Sequence, residues 1–431
     1  MHPPSAIGDN PEPMSEIDDE GGAPAAATAG RQPSIATAAP EGRPPTVLQV
    51  LPSLEGGGVE RGTVDVAVAL VEAGWGSVVA SAGGAMVREL ARHRVAHVTL
   101  PLHSKNPLVM RRNIARLRDV IRRYGVDIVH ARSRAPAWSA RAAARRAGVH
   151  FVTTFHGTYG ASGGLKRLYN GIMVRGERVI AISDFIARHA IETYRADPAR
   201  LRVIHRGVDL AVFRPEFVTQ ERMIDLATRW KLPDDRPIVL LPGRFSRWKG
   251  HALMIEALAR IGRDDLLCVM VGADTGSDAY IGELTALAKR RGVESRVRFV
   301  DFCRDMPAAY MLSDAVVSAS LRPEAFGRTL AEGLALGRPV VGPAHGGALE
   351  IIEEGRTGWL FTPGNPESLA AALDAALSVT PEARRRLAAE AMRFVGEKLS
   401  KTRMCADTLA VYAEVLDDAP VAEGAAAPAA P

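Results

Sequence analysis

The chain has 431 residues, 47% hydrophobic and 24% charged, with a formal net charge of +5. It holds no apolar run near the roughly 20 residues that span a bilayer and no basic-then-apolar leader of the signal-peptide kind. Its three cysteines, Cys268, Cys303 and Cys405, form no CxxC, which excludes a disulfide scaffold or a cysteine–zinc site and fits a reducing cytoplasm.

Residues 1–45 are Pro- and Ala-rich, carry seven acids against Arg31 and Arg43, and contain no aromatic residue. Such a segment cannot bury enough apolar surface to offset chain entropy, so it reads as a disordered tail, and 417–431 reads the same way. Positive charge is thereby concentrated between the tails, where it attracts anionic partners. The remaining length suits two domains.

From residue 46 on, short apolar runs alternate with helical patterns. Strands are expected at 47–51, 77–81, 97–100, 127–130, 151–154 and 179–182, with helices at about 59–73, 108–124 and 135–147. The pattern pauses at 208–215 and resumes with strands at 238–241, 266–271, 297–302, 315–318, 339–342 and 359–361. Alternation of this kind gives parallel, doubly wound α/β sheets. The expected organisation is therefore a domain at 46–215 and another at 216–397, joined by a hinge near 207–217. A last helical stretch, about 381–416, would bend, and its end, 398–416, would fold back on the first domain. Ligands of such sheets sit beyond the carboxyl ends of the strands, so two facing sheets make a cleft.

Four segments could carry chemistry there. In Leu241-Pro-Gly-Arg-Phe-Ser-Arg-Trp-Lys-Gly250, Arg244 and Lys249 stand between a strand and a helix, where Arg can fork two bonds to phosphate oxygens and Lys adds a point charge. A basic surface loop would look the same. In Pro323-Glu-Ala-Phe-Gly-Arg-Thr-Leu-Ala-Glu332, Glu324 precedes a helix starting near Phe326, and Glu332 lies two turns inside it. Backbone N–H groups of Phe326, Gly327 and Arg328 would face an anion above the helix. Carboxylates at such a site suit sugar hydroxyls, although solvated glutamates are the commoner case. Ser53-Leu-Glu-Gly-Gly-Gly-Val-Glu-Arg-Gly62 opens the first helix, and its Gly57 and Gly58 let a ligand approach the backbone. His156, in Thr153-Thr-Phe-His-Gly157, ends a strand at the cleft edge and could bond a sugar hydroxyl or simply be a core histidine.

A fifth feature is basic: Lys105, Arg111, Arg112, Arg116, Arg118, Arg122, Arg123, Arg132, Arg134, Arg141, Arg145 and Arg146 all lie in the first domain. They form either a solvated helix face or a surface for an anionic membrane. Nucleic acid is not expected, because no aromatics interleave with the charges. An NAD site is not expected either, since the glycine spacing fails and no acid ends the second strand. No Walker motif, no Asp-x-Asp and no His/Asp cluster is seen, so no cofactor or metal is expected.

With these residues in view, the stretch from Thr46 to Leu416 resembles the retaining glycosyltransferases of family 4. The resemblance rests on the Glu324/Glu332 pair within its Gly-Arg-Pro-Val-Val context, on the Gly-Arg…Lys-Gly clamp, and on Gly207-Val-Asp209. It implies the GT-B fold, two Rossmann-like domains facing a cleft. It implies that Arg244 and Lys249 bind the donor diphosphate, Glu332 the ribose, and Glu324 the donor sugar. Phe326, Gly327 and Arg328 would offer backbone groups to sugar and phosphate oxygens, Gly57 and Gly58 would meet the phosphates, and His156 would lie near the transferred sugar. Two departures are visible: His205-Arg206 stands where many members have Asn before Gly-Val-Asp, and Gly333 replaces the Ala that often follows the second glutamate. The glycine-rich loop and the Phe-His-Gly-Thr-Tyr segment resemble bacterial enzymes of lipopolysaccharide core or exopolysaccharide assembly.

The implied activity is metal-independent transfer of a sugar from a nucleotide-diphosphate sugar to a lipid-linked or oligosaccharide acceptor, at the inner face of the cytoplasmic membrane. The rivals are a sugar-nucleotide epimerase on the same architecture and a non-catalytic nucleotide-sugar-binding partner.

Overall fold

The computed structural model describes residues 43–272 and 278–418. Two sheets organise them, and every strand pairing is parallel. The first has seven strands: β1 (Thr46–Val50), β2 (Gly76–Ser81), β3 (Ala96–Thr99), β4 (Ile128–Ala131), β5 (His150–Phe155), β6 (Arg178–Ala181) and β7 (Leu201–Val203). Their spatial order is β3-β2-β1-β4-β5-β6-β7. The second has six: β8 (Ile238–Pro242), β9 (Leu267–Val271), β10 (Val297–Val300), β11 (Ala315–Val317), β12 (Val340–Pro343) and β13 (Gly358–Phe361), ordered β10-β9-β8-β11-β12-β13.

All five residues of β1 and of β8 are buried. Strands covered by helices on both faces carry continuous apolar runs instead of alternating ones, and these do. The polar residue inside β1, Gln49, donates from its amide to the Thr63 carbonyl at 3.0 Å. The sheet order reverses between β1 and β4 and again between β8 and β11. Each reversal opens a crevice at the carboxyl ends of the strands.

The expected last helical stretch is two helices, Pro381–Lys398 and Lys401–Asp417, broken at Leu399 and Ser400. The Ser400 hydroxyl accepts from the Arg403 N–H and starts the second helix. That helix buries Met404, Cys405, Leu409, Tyr412 and Val415 with Val47, Val66, Leu70 and Ile128 of the first domain. Tyr412 Oη is 2.6 Å from His130 Nδ1, and His130 Nε2 is 2.7 Å from Thr154 Oγ1.

The disorder read into the tails lies outside the described residues, except at the margins. Arg43 forks Asp127 at 2.7 and 3.0 Å, Asp417 ends the last helix, and Asp418 bonds Arg178 at 2.8 Å. These three residues belong to the folded body. The chain passes between domains after β7, and Phe213 already packs on Tyr310 of the second domain. Where it crosses, the Val208 N–H donates to the Leu399 carbonyl at 2.7 Å and the Lys401 N–H to the Val208 carbonyl at 2.8 Å. Both interdomain connections are thus tied side by side, and a Lys401–Asp209 ion pair covers them.

Candidate active site

The crevice of the second sheet is built by the loops after β8 and β11. Lys249 Nζ lies 2.8 Å from Glu324 Oε1, and the two side chains are only 15% and 18% exposed. Ser318 and Ser320 donate their hydroxyls to the same carboxylate oxygen. The Lys249 ammonium also lies over the Trp248 ring, 4.6 Å from its centroid. This close approach depends on Gly250. Its φ is +75°, and a Cβ there would lie 1.9 Å from the Ala319 carbonyl oxygen, so only glycine lets the Lys249 turn seat against the loop after β11.

Gly327 caps the helix Arg328–Ala335 with a φ of +102°. The sequence reading started this helix two residues early, so Glu332 lies one turn inside it, not two. The reason is the positive φ of Gly327, which is non-helical. Glu332 is buried, and its oxygens accept from Tyr310 Oη at 2.9 Å and Arg328 Nε at 2.6 Å. Burial, and then the Glu332 carboxylate, hold the Tyr310 phenol well above its usual range, so Tyr310 remains a donor. The Phe326 side chain is buried, which leaves its backbone for any ligand. Arg244 is exposed, and Arg247 is turned away onto Glu283 at 2.7 Å.

The facing crevice lies at the ends of β1, β4 and β5. Gly57 is the N-cap and Gly58 the first residue of the helix Gly58–Glu72. His156 follows β5 directly. Both its ring nitrogens are shut off from solvent and lack a hydrogen-bond partner among the described residues. Burial, then the charges of Arg206 and Arg132, hold its pKa well below the usual value, so the imidazole is neutral.

Several residues were not singled out from sequence. Ser318 and Ser320 position Glu324, and Tyr310 positions Glu332. His345 stands before the Gly346-Gly347 turn, and both its ring nitrogens are also buried without partners. That turn approaches the Glu324 backbone, with the Gly347 N–H donating to the Glu324 carbonyl at 2.9 Å. A histidine before a Gly-Gly turn at a strand end was the available signal. Arg132 departs from the reading outright. It was counted with a basic surface face, but it is 3% exposed at the end of β4.

Against known proteins, residues 56–212 match the model described as Glycosyltransferase Family 4, and residues 225–394 that described as Glycosyl transferases group 1. A solved glycosyltransferase from Rickettsia africae ESF-5 is 36% identical; the match covers 87% of this chain and 99% of that one, with a TM-score of 0.82. The chain is a GT-B glycosyltransferase. A D-inositol 3-phosphate glycosyltransferase of Frankia alni is 33% identical over 294 residues, 62% of this glycosyltransferase and 69% of the relative. With other proteins of that name the match spans about half of the relative's length, 46% in Nocardioides. Anabaena HepE in complex with UDP-glucose shares the fold at 23% identity, with 85% and 99% coverage and a TM-score of 0.72.

The two domains of the glycosyltransferase touch at the edge of the cleft. Glu350 accepts from the Asp184 and Phe185 N–H groups at 2.7 and 2.8 Å, and lies 2.8 Å from His205 Nε2. Burial pushes its carboxyl up, but these hydrogen bonds prevail and hold it below the usual carboxylate range. Ser183 Oγ adds a bond to the Ala325 carbonyl at 2.6 Å, beside Glu324. Asp184, His205 and Glu350 form the acid–histidine group that the sequence reading did not find, because the three are far apart in the chain. Their contacts are accounted for as an interdomain latch.

Proposed function

We propose that this glycosyltransferase moves a sugar from a nucleoside diphosphate sugar to an acceptor hydroxyl with retention of configuration and without a metal ion. The observation that carries this is the Lys249–Glu324 pair, set on two serines at the switch point of the second sheet. Lys249 and Arg244 offset the diphosphate charge, and the first backbone N–H groups of the helix Arg328–Ala335 add the positive end of its dipole. Glu324 accepts from sugar hydroxyls. Glu332, already aligned by Tyr310 and Arg328, accepts from the ribose. As the anomeric carbon–oxygen bond breaks, its electrons go to the β-phosphate. The acceptor oxygen bonds the same face of that carbon, and its proton passes to the departing phosphate oxygen. His156, neutral and unpartnered, is free to bond the sugar. The UDP-glucose complex of the HepE fold relative supports a nucleotide sugar as donor.

The acceptor reading is a lipid-linked saccharide of lipopolysaccharide or exopolysaccharide assembly, met at the inner face of the cytoplasmic membrane. Arg111, Arg112, Arg118, Arg122 and Arg123 are exposed along the helix Pro107–Tyr124. Leu108 and Leu165 project apolar side chains 67% and 86% exposed from the same domain. No helix of the described residues is long and apolar enough to cross a membrane, so contact would be peripheral.

The test is donor turnover in EDTA without acceptor, followed by the anomeric proton signals. The expected first product is free sugar with the donor's anomeric configuration. A first product of opposite configuration, or one requiring added metal, would contradict the mechanism. Accumulation of an epimerised sugar would favour the epimerase reading.

A further inference from the structure

The glycosyltransferase holds two positive charges in the first domain that the donor site does not use. Arg132 directly follows β4 at the switch point of the first sheet. It is 3% exposed, its backbone N–H donates to the Val50 carbonyl at 2.9 Å, and its guanidinium makes no hydrogen bond or ion pair among the described residues. Arg206 comes from the interdomain crossing and donates to the Gly58 carbonyl. A Cβ built on Gly62 would lie 2.1 Å from Arg206 Nη1 and 3.2 Å from Arg132 Nη2, so both guanidinium groups crowd the first turns of the helix Gly58–Glu72.

Neutralising groups are scarce. Asp65 is engaged by Arg61 at 2.9 Å, and Glu60 folds back over Gly57. Burial, and then repulsion from Arg132, lower the Arg206 guanidinium to about 9. Two adjacent cations, Arg132 buried and Arg206 half-buried, are costly unless an anion joins them. The positive end of a 15-residue helix lies beneath them, and the partnerless His156 is the neighbour whose pKa both arginines depress.

We propose that Arg132 and Arg206 form a second anion site that holds a phosphate group carried by the acceptor. The forked donors of two arginines match the tetrahedral oxygens of a phosphate. Held there, the phosphate would anchor the acceptor on the first domain, beside His156. The proposal rests on the donor diphosphate binding Arg244 and Lys249 across the cleft.

The probe is inorganic phosphate, titrated calorimetrically into the full-length protein at constant ionic strength. It is run alone and with whichever of UDP, GDP or ADP binds most tightly. Phosphate should bind in the presence of the nucleotide. Its affinity should fall at least tenfold in Arg206→Asn and in Arg132→Gln, with nucleotide affinity changed less than twofold. Lys249→Ala should show the reverse pattern. Arg132→Lys, which keeps the charge but not the fork, covers the case in which Arg132→Gln does not fold. The proposal is overturned if phosphate does not bind the wild type, if it competes with the nucleotide, or if the arginine variants weaken nucleotide and phosphate alike. Failure of nucleotide binding with the phosphate site intact would count against the donor assignment alone.

Discussion

Lys249→Ala is expected to lower the rate of donor turnover by about 10²–10³-fold, the range for removing a preorganised group that stabilises developing charge. Among the described residues the lysine is the cation held against Glu324 at the switch point of the donor sheet, and the exposed Arg244 offsets only part of the diphosphate charge in its absence. Its loss also leaves Glu324 facing two serines without its counter-ion. An orphaned polar group of this kind costs about 1–3 kcal/mol, a modest drop in melting temperature that leaves the fold in place. Glu324→Gln, made in the Lys249→Ala background, should restore much of that stability and none of the rate. Residues that share a partner are coupled, so the two single effects on stability should not add. Steady-state kinetics and thermal melts of the four proteins check this.

His156→Phe should separate stability from activity even more sharply. The imidazole keeps two nitrogens out of solvent with nothing to bond, so a ring of similar shape without polar atoms should leave the melting temperature unchanged or raise it. Activity should fall by about 10²-fold, through loss of a hydrogen bond to the sugar. The pH dependence gives a second check. The folded-state pKa is depressed below the unfolded value of about 6.5. The unfolded chain therefore binds a proton below about pH 6.5 that the folded protein does not, and wild-type stability declines as pH falls through that value. The variant lacks this group. Its stability advantage should grow between pH 7 and pH 5, as read by denaturant unfolding.

The architecture was legible because parallel strands buried on both faces are written as continuous apolar runs. The run placed at 47–51 is the strand Thr46–Val50, and that at 238–241 is Ile238–Pro242. The three-residue edge strand Leu201–Val203 was missed, being too short and too exposed to leave such a run. The start of a helix was also misplaced where it depends on a backbone angle, as at Gly327. Among the site residues, Glu324 and Lys249 stood in recognisable contexts, but their mutual contact is a property of Gly250 and the Ala319 backbone. Ser318, Ser320 and Tyr310 carry no signal, because a hydroxyl becomes a positioning group only through what it faces. Arg132 was misplaced for the same reason. It falls among a dozen basic residues in the chain, and only the reversal of strand order beside β4 turns it inward.

The central claim is that the second domain binds a nucleoside diphosphate through the Lys249–Glu324 pair. Calorimetric titration of UDP, GDP and ADP in EDTA, into the wild type and Lys249→Ala, tests it most directly. The account predicts that one of the three binds the wild type with unit stoichiometry, indifferent to EDTA, and that Lys249→Ala weakens it at least tenfold. Binding of equal strength to both proteins would contradict it, as would no binding to either.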